Sequence, residues 1–242
     1  PVGIDSMLLC SSIYQPEVDG QLITIPIACR KEISGPTGSI SVFWPLTEHI
    51  QMLVQLALGF CRLRQLPMSQ KKVAVILHNM PPRRDMIGCA YGLDTAQSLY
   101  LLVQDLARAG LPLERTFESG DQIIRELAAG LTGDSGYLSS QEMQKKSAAT
   151  VSKSIYCSWF SQLTEYLQEQ MIAHWGPPPG TFMAVDQQLL IPGLQNGSLF
   201  IGIQPPRAPE QQASWAYHEL ALPCSHQYLA FYRWVEEVFG AN

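Results

Sequence analysis

KKVAVILHNMPPRRDMIGCAYGLDTAQSL, residues 71–99, carries a strand, a loop and a helix start in one line. Val73–Leu77 is an unbroken apolar run with three β-branched residues. Such a run suits a strand buried on both faces, as in a parallel sheet covered by helices. Lys71 and Lys72 mark its entrance. Beyond it, His78 to Asp85 gathers a histidine, two prolines, two arginines and an aspartate, and Gly88 and Gly92 let the chain turn. Asp94-Thr95-Ala96-Gln97 then opens a helix, because Asp94 can accept from the third backbone N–H while Gln97 reaches back. Leu99, Leu102, Val103 and Leu106 form its apolar stripe, and Gly110 ends it. Strand, glycine-bearing loop and helix in that order give the βα rhythm of an open α/β sheet.

Working outward, Ser6–Ile13 and Leu22–Cys29 are predicted strands on either side of the turn QPEVDG, residues 15–20. A Gly- and Ser-rich loop is expected over 34–41. Thr47 caps a helix to about Arg64, with Leu53, Leu56, Ala57 and Phe60 as a core-facing stripe. Downstream, a helix is predicted over 117–131. Ser139 with Glu142 makes a second capping box. A helix over 160–175 is stopped by Gly176 and the prolines at 177–179. Strands at 188–191 and 199–204 are joined through Asn196-Gly197, a hairpin signal. The helix at 227–238 is apolar on nearly every side and should therefore be buried. The expected fold is α/β: a Rossmann-like, open, mostly parallel sheet flanked by helices, with a helical insertion and a C-terminal hairpin plus helix. Residues 1–115 form the first βα part, 116–180 the helical part, and 181–242 the hairpin and terminal helix.

The bulk properties narrow the function. At 46% hydrophobic over 242 residues, a full core is available. Charged residues are only 15%, against about 25% in a typical soluble domain. That deficit predicts that part of the surface is covered by something else, such as a partner or the remainder of a longer chain. The sequence opens on Pro1 and closes on Asn242 as if cut from one. A net charge of −5 with scattered basic pairs gives no stripe for nucleic acid. No apolar run reaches the ~20 residues of a membrane span. The six cysteines (10, 29, 61, 89, 157 and 224) make no CxxC, so buried free thiols in a reducing cytoplasm are expected.

Ligands of open α/β sheets sit beyond the carboxyl ends of strands, where His78 to Asp85 would lie. The bland alternative is a proline-stiffened loop with surface arginines and a satisfied histidine. GxxxG at 88–92 is neither the dinucleotide fingerprint nor a Walker A, since no GK[ST] follows. Glu17, beside a predicted strand end, is either a carboxylate that takes a proton or touches a metal, or part of a solvated turn. Of His49, His78, His174, His218 and His226, none forms HExxH or HxH. His49 and His174 read as exposed helix residues. His78 and His226 are possible ligands or bases.

KVAVILHNMPPRRDMIGCAYGLDTAQSL at 72–99 resembles a signature of the cobaltochelatase large subunit family, CobN, which is related to the porphyrin-binding H subunit of magnesium chelatase. QPEVDGQLITIP at 15–26, HWGPPPG at 174–180, LIPGLQNGSLFIGIQPPR at 190–207 and HQYLAFYRW at 226–234 are similar to further family motifs, in the expected order. Met80, Arg84 and Cys224 depart from what is common there. The resemblance implies an internal segment of a much longer subunit that binds a tetrapyrrole and inserts a divalent metal. Cobalt into a corrin-type ring, in cobalamin biosynthesis, is the implied case, with magnesium as the related one. ATP would be hydrolysed by separate AAA+ partner subunits and not bound here. Carried over onto these positions, Glu17 and His78 would be the base or transient metal ligands and His226 a further ligand. Arg83 and Arg84 would pair with ring carboxylates, with Asp85 orienting them. Two other readings stay open: a scaffold segment with ring and metal bound elsewhere, and a small enzyme acting on a phosphorylated ligand.

Overall fold

The computed structural model describes residues 7, 10–21, 25–35, 38–208, 219 and 222–242. The chain divides into two compact units, residues 1–66 and 67–242.

In the first unit, Cys10–Tyr14 is a wide helical turn leading directly into helix α1 (Gln15–Val18). The sequence predicts a strand and a turn over these residues. Pro16 favours the helical alternative, because proline in a first helical turn loses no hydrogen bond and pre-sets φ. The predicted-strand residues 6, 8, 9 and 22–24 lie outside the described residues. Strands β1 (Ala28–Gly35) and β2 (Gly38–Pro45) pair antiparallel, from Ala28 opposite Pro45 to Gly35 opposite Gly38. The expected loop at 34–41 is thus largely the tip of a hairpin. Arg30 lies over the Phe43 ring, and Lys31 Nζ stands 4.3 Å from the centre of Trp44, so cations on one strand cover aromatics on the other. Helix α2 spans Thr47–Gln65. Leu46, not Thr47, is its cap residue, and no side chain caps it. None of its residues is buried, so the predicted core-facing stripe has no core beneath it in this unit.

The second unit carries β3 (Val73–Leu77) and α3 (Thr95–Arg108), and of the capping box predicted for α3 the structure shows the Asp94 half: its Oδ1 accepts from the Gln97 N–H at 2.9 Å. Helix α4 (Gly120–Ala129) starts later than expected, behind Ser119. Helix α5 (Ser140–Lys146) carries both halves of its capping box. Strand β4 (Ala149–Ser152) follows. The single helix predicted over 160–175 is two, α6 (Lys153–Phe160) and α7 (Glu165–Trp175). Ser152 and Thr164 each cap one of them, and these caps outweigh the apolar spacing across the break.

Strands β5 (Ala184–Val185), β6 (Gln188–Ile191), β7 (Gly193–Asn196) and β8 (Leu199–Ile203) complete two three-stranded sheets, ordered β3-β8-β7 and β4-β6-β5. The α/β class holds, but the pairing is mixed. Among the described residues β3–β8 is the parallel pair, and the other pairs are antiparallel. The hairpin partner of β8 is β7, not β6. Pro192 has no N–H to extend β6. Gly193, at φ +149°, lets the chain swing into the next sheet; a Cβ there would stand 2.7 Å from Ile201 O. The fully buried strand is β8, while β3, at the sheet edge, is half-buried with only Leu77 inside.

The alternation along β8 builds two cores. Phe200 points into one with Tyr156, Trp159, Phe231 and Trp234. Leu199, Ile201 and Ile203 point into the other with Leu77, Leu99, Val103 and Ile123. Each such side chain stabilises by about 1.5–3 kcal/mol. Helix α8 (His226–Arg233) runs on into a wide turn over Trp234–Phe239. Its inner face is buried, but Tyr232 and Val238 are exposed, so the expected all-round burial holds for one face only.

Candidate functional site

Strands β3 and β8 end level with each other, Leu77 opposite Ile203, and the Gln204 N–H donates to Leu77 O at 2.9 Å. Their outgoing loops, 78–94 and 204–208, therefore leave from one end of the sheet. The segment 131–137 closes against them. A Cβ on Gly133 would stand 2.7 Å from Pro82 Cβ and 3.1 Å from Pro206 Cδ, so only glycine lets the three backbones approach this closely. On the same side, the Arg84 guanidinium lies 5.0 Å from the centre of the Tyr137 ring.

Within the 78–85 loop the predicted residues take different positions. His78 is exposed at the strand end, and its carbonyl accepts from the Gly88 N–H at 2.7 Å. Arg83 is committed to Asp85: Nε donates to Oδ1 at 2.9 Å and Nη2 pairs with Oδ2. Both are exposed, so the pair contributes about 0–1 kcal/mol to stability. Asp85 thus orients Arg83 alone. Among the described residues Arg84 has no carboxylate partner, and its Nε is buried without an acceptor. Asn79 is buried, and neither Nδ2 nor Oδ1 has a hydrogen-bond partner among the described residues. A buried polar atom left in that state costs about 1–3 kcal/mol.

Glu17 belongs to the first unit, exposed on α1; His78, Arg83, Arg84, Asp85 and His226 belong to the second. His226 is a buried latch. Its Nε2 is 2.9 Å from Gly176 O, which can only accept, so Nε2 carries the proton. Nδ1 then accepts from the Tyr156 hydroxyl at 2.6 Å. Burial pulls the imidazole pKa below its ordinary range and pushes the Tyr156 phenol well above its own. In this arrangement both ring nitrogens of His226 are engaged, and a metal at either would have to displace Tyr156 or Gly176. His49 and His174 are exposed helix residues with ring nitrogens on the carbonyls of Pro26 and Gln170. His218 lies outside the described residues. Among the described residues no group of three or more His, Cys, Asp or Glu side chains is close enough to hold a metal. The six cysteines are free, but none is buried: Cys157 and Cys224 are half-buried and the other four exposed.

Two hollows lie near these groups in the second unit. One, of about 390 Å³, is lined by Gly88, Cys89, Asp94, Asp121 and Arg125 at the start of α3. The other, of about 230 Å³, lies between Trp175–Phe182 and His226–Gln227. Sequence reasoning missed Asn79, Tyr137 and Tyr156. Asn79 stood beside His78 as an available signal. The contacts of Tyr137 and Tyr156 come from segments distant in the chain, which no local pattern encodes.

Comparison with known proteins adds three findings. A profile of the family described as CobN/Magnesium Chelatase matches residues 1–242. Among curated relatives, an uncharacterized protein of Methanocaldococcus jannaschii is 35% identical over 99% of this chain and 20% of its own length. The aerobic cobaltochelatase subunit CobN of Pseudomonas aeruginosa is 30% identical over 100% of this chain and 19% of its own. Among solved structures, the catalytic subunit of cobaltochelatase from Mycobacterium tuberculosis superposes with a TM-score of 0.78 at 30% identity, covering 99% of this chain and 20% of that one. The chain thus spans about a fifth of the length of these relatives.

Proposed function

We propose, on the premise that this chain belongs to the CobN/magnesium chelatase family, that it serves as part of a tetrapyrrole-binding subunit that inserts a divalent metal into the ring. Family membership over all 242 residues is the observation that carries the reading. The loop at the common end of β3 and β8 supports it, because it presents an exposed imidazole and two arginines where sheet-bound ligands sit. We take cobalt as the metal and a corrin-type ring as its acceptor, in cobalamin biosynthesis, because a relative and a solved structure named for cobaltochelatase reach 30% identity, against 28% for a magnesium-chelatase H subunit from Cereibacter sphaeroides. Magnesium and a porphyrin are the related alternative. ATP would be consumed by separate AAA+ subunits, in the cytoplasm, since the chain has no Walker A motif.

Insertion removes two protons from ring nitrogens and exchanges the metal's water shell for those nitrogens. Glu17 is assigned as the base for the ring protons or as a transient ligand, and His78 as the second such group. Arg83, Arg84 and Asp85 form the polar wall that meets the ring's periphery. In the intact protein, Glu17→Gln and His78→Gln should each lower metal insertion by roughly 100-fold or more while ring affinity is unchanged. A Glu17→Gln protein with normal insertion rates removes Glu17 from the mechanism.

The engagement of both His226 nitrogens and the pairing of Arg83 with Asp85 favour one other reading, a scaffold whose ring and metal bind elsewhere. Titrating the chain with a corrinoid or porphyrin separates the two. A shifted absorbance band supports ring binding, and an unchanged spectrum supports the scaffold.

A further inference from the structure

We infer that the open edge of β3 takes a further strand, parallel to it and supplied by the longer polypeptide of which this chain spans about a fifth, and that Asn242 is where that strand starts. The pairing stands apart from the ring-binding reading, and only its consequence for the site rests on that reading.

β3 ends the order β3-β8-β7, so one of its edges meets no strand among the described residues. Its bonds to β8 leave from the odd-numbered residues: the Val73 N–H donates to Ser198 O at 2.9 Å, and Leu77 O accepts from the Gln204 N–H at 2.9 Å. Alternate residues of a strand turn their peptide groups to opposite sides, so the N–H and C=O of Ala74 and Ile76 face the open edge. Among the described residues nothing bonds to them there. Strands that end a sheet for good carry a charge, a proline or a bulge that discourages pairing. Val73–Leu77 carries none of these, and Lys71 and Lys72 stand before it. A bare edge of this kind is a template for strand addition.

The entrance to that edge is already paired. The Asn242 N–H donates to Lys72 O at 3.0 Å, the Lys72 N–H donates to Asn242 Oδ1 at 2.8 Å, and Lys72 Nζ donates to Phe239 O at 2.8 Å. These bonds bring the backbone that leaves the Trp234–Phe239 turn alongside the start of β3. From Lys72, a segment passes Ala74 and Ile76 only by running in the direction of β3 itself, since the reverse direction leads back past Lys71. Ala74 and Ile76 pack against one core and Val73, Val75 and Leu77 against the other, so the strand that fits this edge is apolar on both faces. The relatives are about five times as long as this chain, so a strand within the same molecule is at high effective concentration. Parallel strands finish at one end of a sheet. The loop leaving the added strand therefore joins loops 78–94 and 204–208 where sheet-bound ligands sit, and residues beyond this chain complete the candidate site.

Hydrogen–deuterium exchange resolved to single residues, on chain 1–242 and on the intact subunit, tests the pairing. In the chain, the Val73, Val75 and Leu77 amides should exchange slowly and the Ala74 and Ile76 amides quickly. In the intact subunit, Ala74 and Ile76 should slow by about 100-fold or more, and the other three should change far less. Ala74→Pro removes one outward N–H and none of those on β8. It should leave the melting point of the chain within a few degrees and lower that of the intact subunit. Quick exchange at Ala74 and Ile76 in the intact subunit overturns the inference, whatever the ring titration gives. Protection in the chain that grows with its concentration also overturns it, because a second copy then fills the edge. Both amides protected in a subunit that binds no ring upholds the pairing and overturns the ring-binding reading alone.

Discussion

Asn79 keeps a carboxamide in the interior with no hydrogen-bond partner among the described residues, and that has a thermal signature. Replacing both unpaired atoms by an apolar side chain of similar size removes their desolvation penalty, so Asn79→Leu should be neutral to stabilising by about 1–2 kcal/mol. A differential calorimetry scan checks it. A melting point several degrees lower would mean that the amide has a partner in solution. His226 has the opposite character, fully satisfied and neutral. Its folded pKa lies below the ordinary value of 6.5. The unfolded chain therefore takes up the proton first as pH falls. The stability from burying this ring is full above the unfolded pKa of 6.5 and is lost progressively as pH falls below it toward the depressed folded pKa. His226→Gln should flatten the melting-point profile across that acid window. At this scale the sequence was legible where a residue acts on its immediate neighbours, as Asp94 does on Gln97 and Ser139 on Glu142. It was silent where the partner is remote: Tyr156 meets His226 from 70 residues away.

Among elements, the exchange between the two sheets depends on Gly193. A methyl group there meets Ile201 O and the Phe200 ring at 2.7 Å, and the positive φ adds strain. Gly193→Ala should cost about 2–4 kcal/mol, read as a lowered denaturation midpoint with an unchanged slope. The same crossing explains why the hairpin was misassigned. Residues 188–191 and 199–203 are both apolar runs flanking a turn signal, and apolar character alone cannot say which of two sheets a run joins. The βα start was legible because strand, loop and capped helix are each local. The parallel order was not: VAVIL and LFIGI look equally buried in sequence, yet β8 lies at the centre and β3 at the edge.

For the molecule as a whole, the two units carry very different interiors. Among the described residues the buried hydrophobic side chains begin at Leu77, whereas Ile33, Ile40, Phe43, Met52, Leu58 and Phe60 of the first unit are exposed. Residues 67–242 alone should therefore fold, with a cooperative melt whose midpoint lies within a few degrees of the whole chain. Residues 1–66 alone should show no cooperative transition. Circular dichroism of the two pieces tests both statements. The low charge content anticipated uncovered apolar surface, but composition cannot say where along the chain such surface falls.

Asn196 accepts from the N–H groups of Glu114 and Arg115 through Oδ1 and donates to Arg115 O through Nδ2. In a loose chain an asparagine before glycine is chemically short-lived, because the next backbone nitrogen attacks its amide and ammonia departs. Here three hydrogen bonds hold the amide away from that attack, so the folded molecule preserves its own covalent integrity. Each excursion that opens this turn risks leaving an aspartate, which cannot donate to Arg115 O. The acid-for-amide mass shift, accumulating during storage, would record the time the protein has spent open.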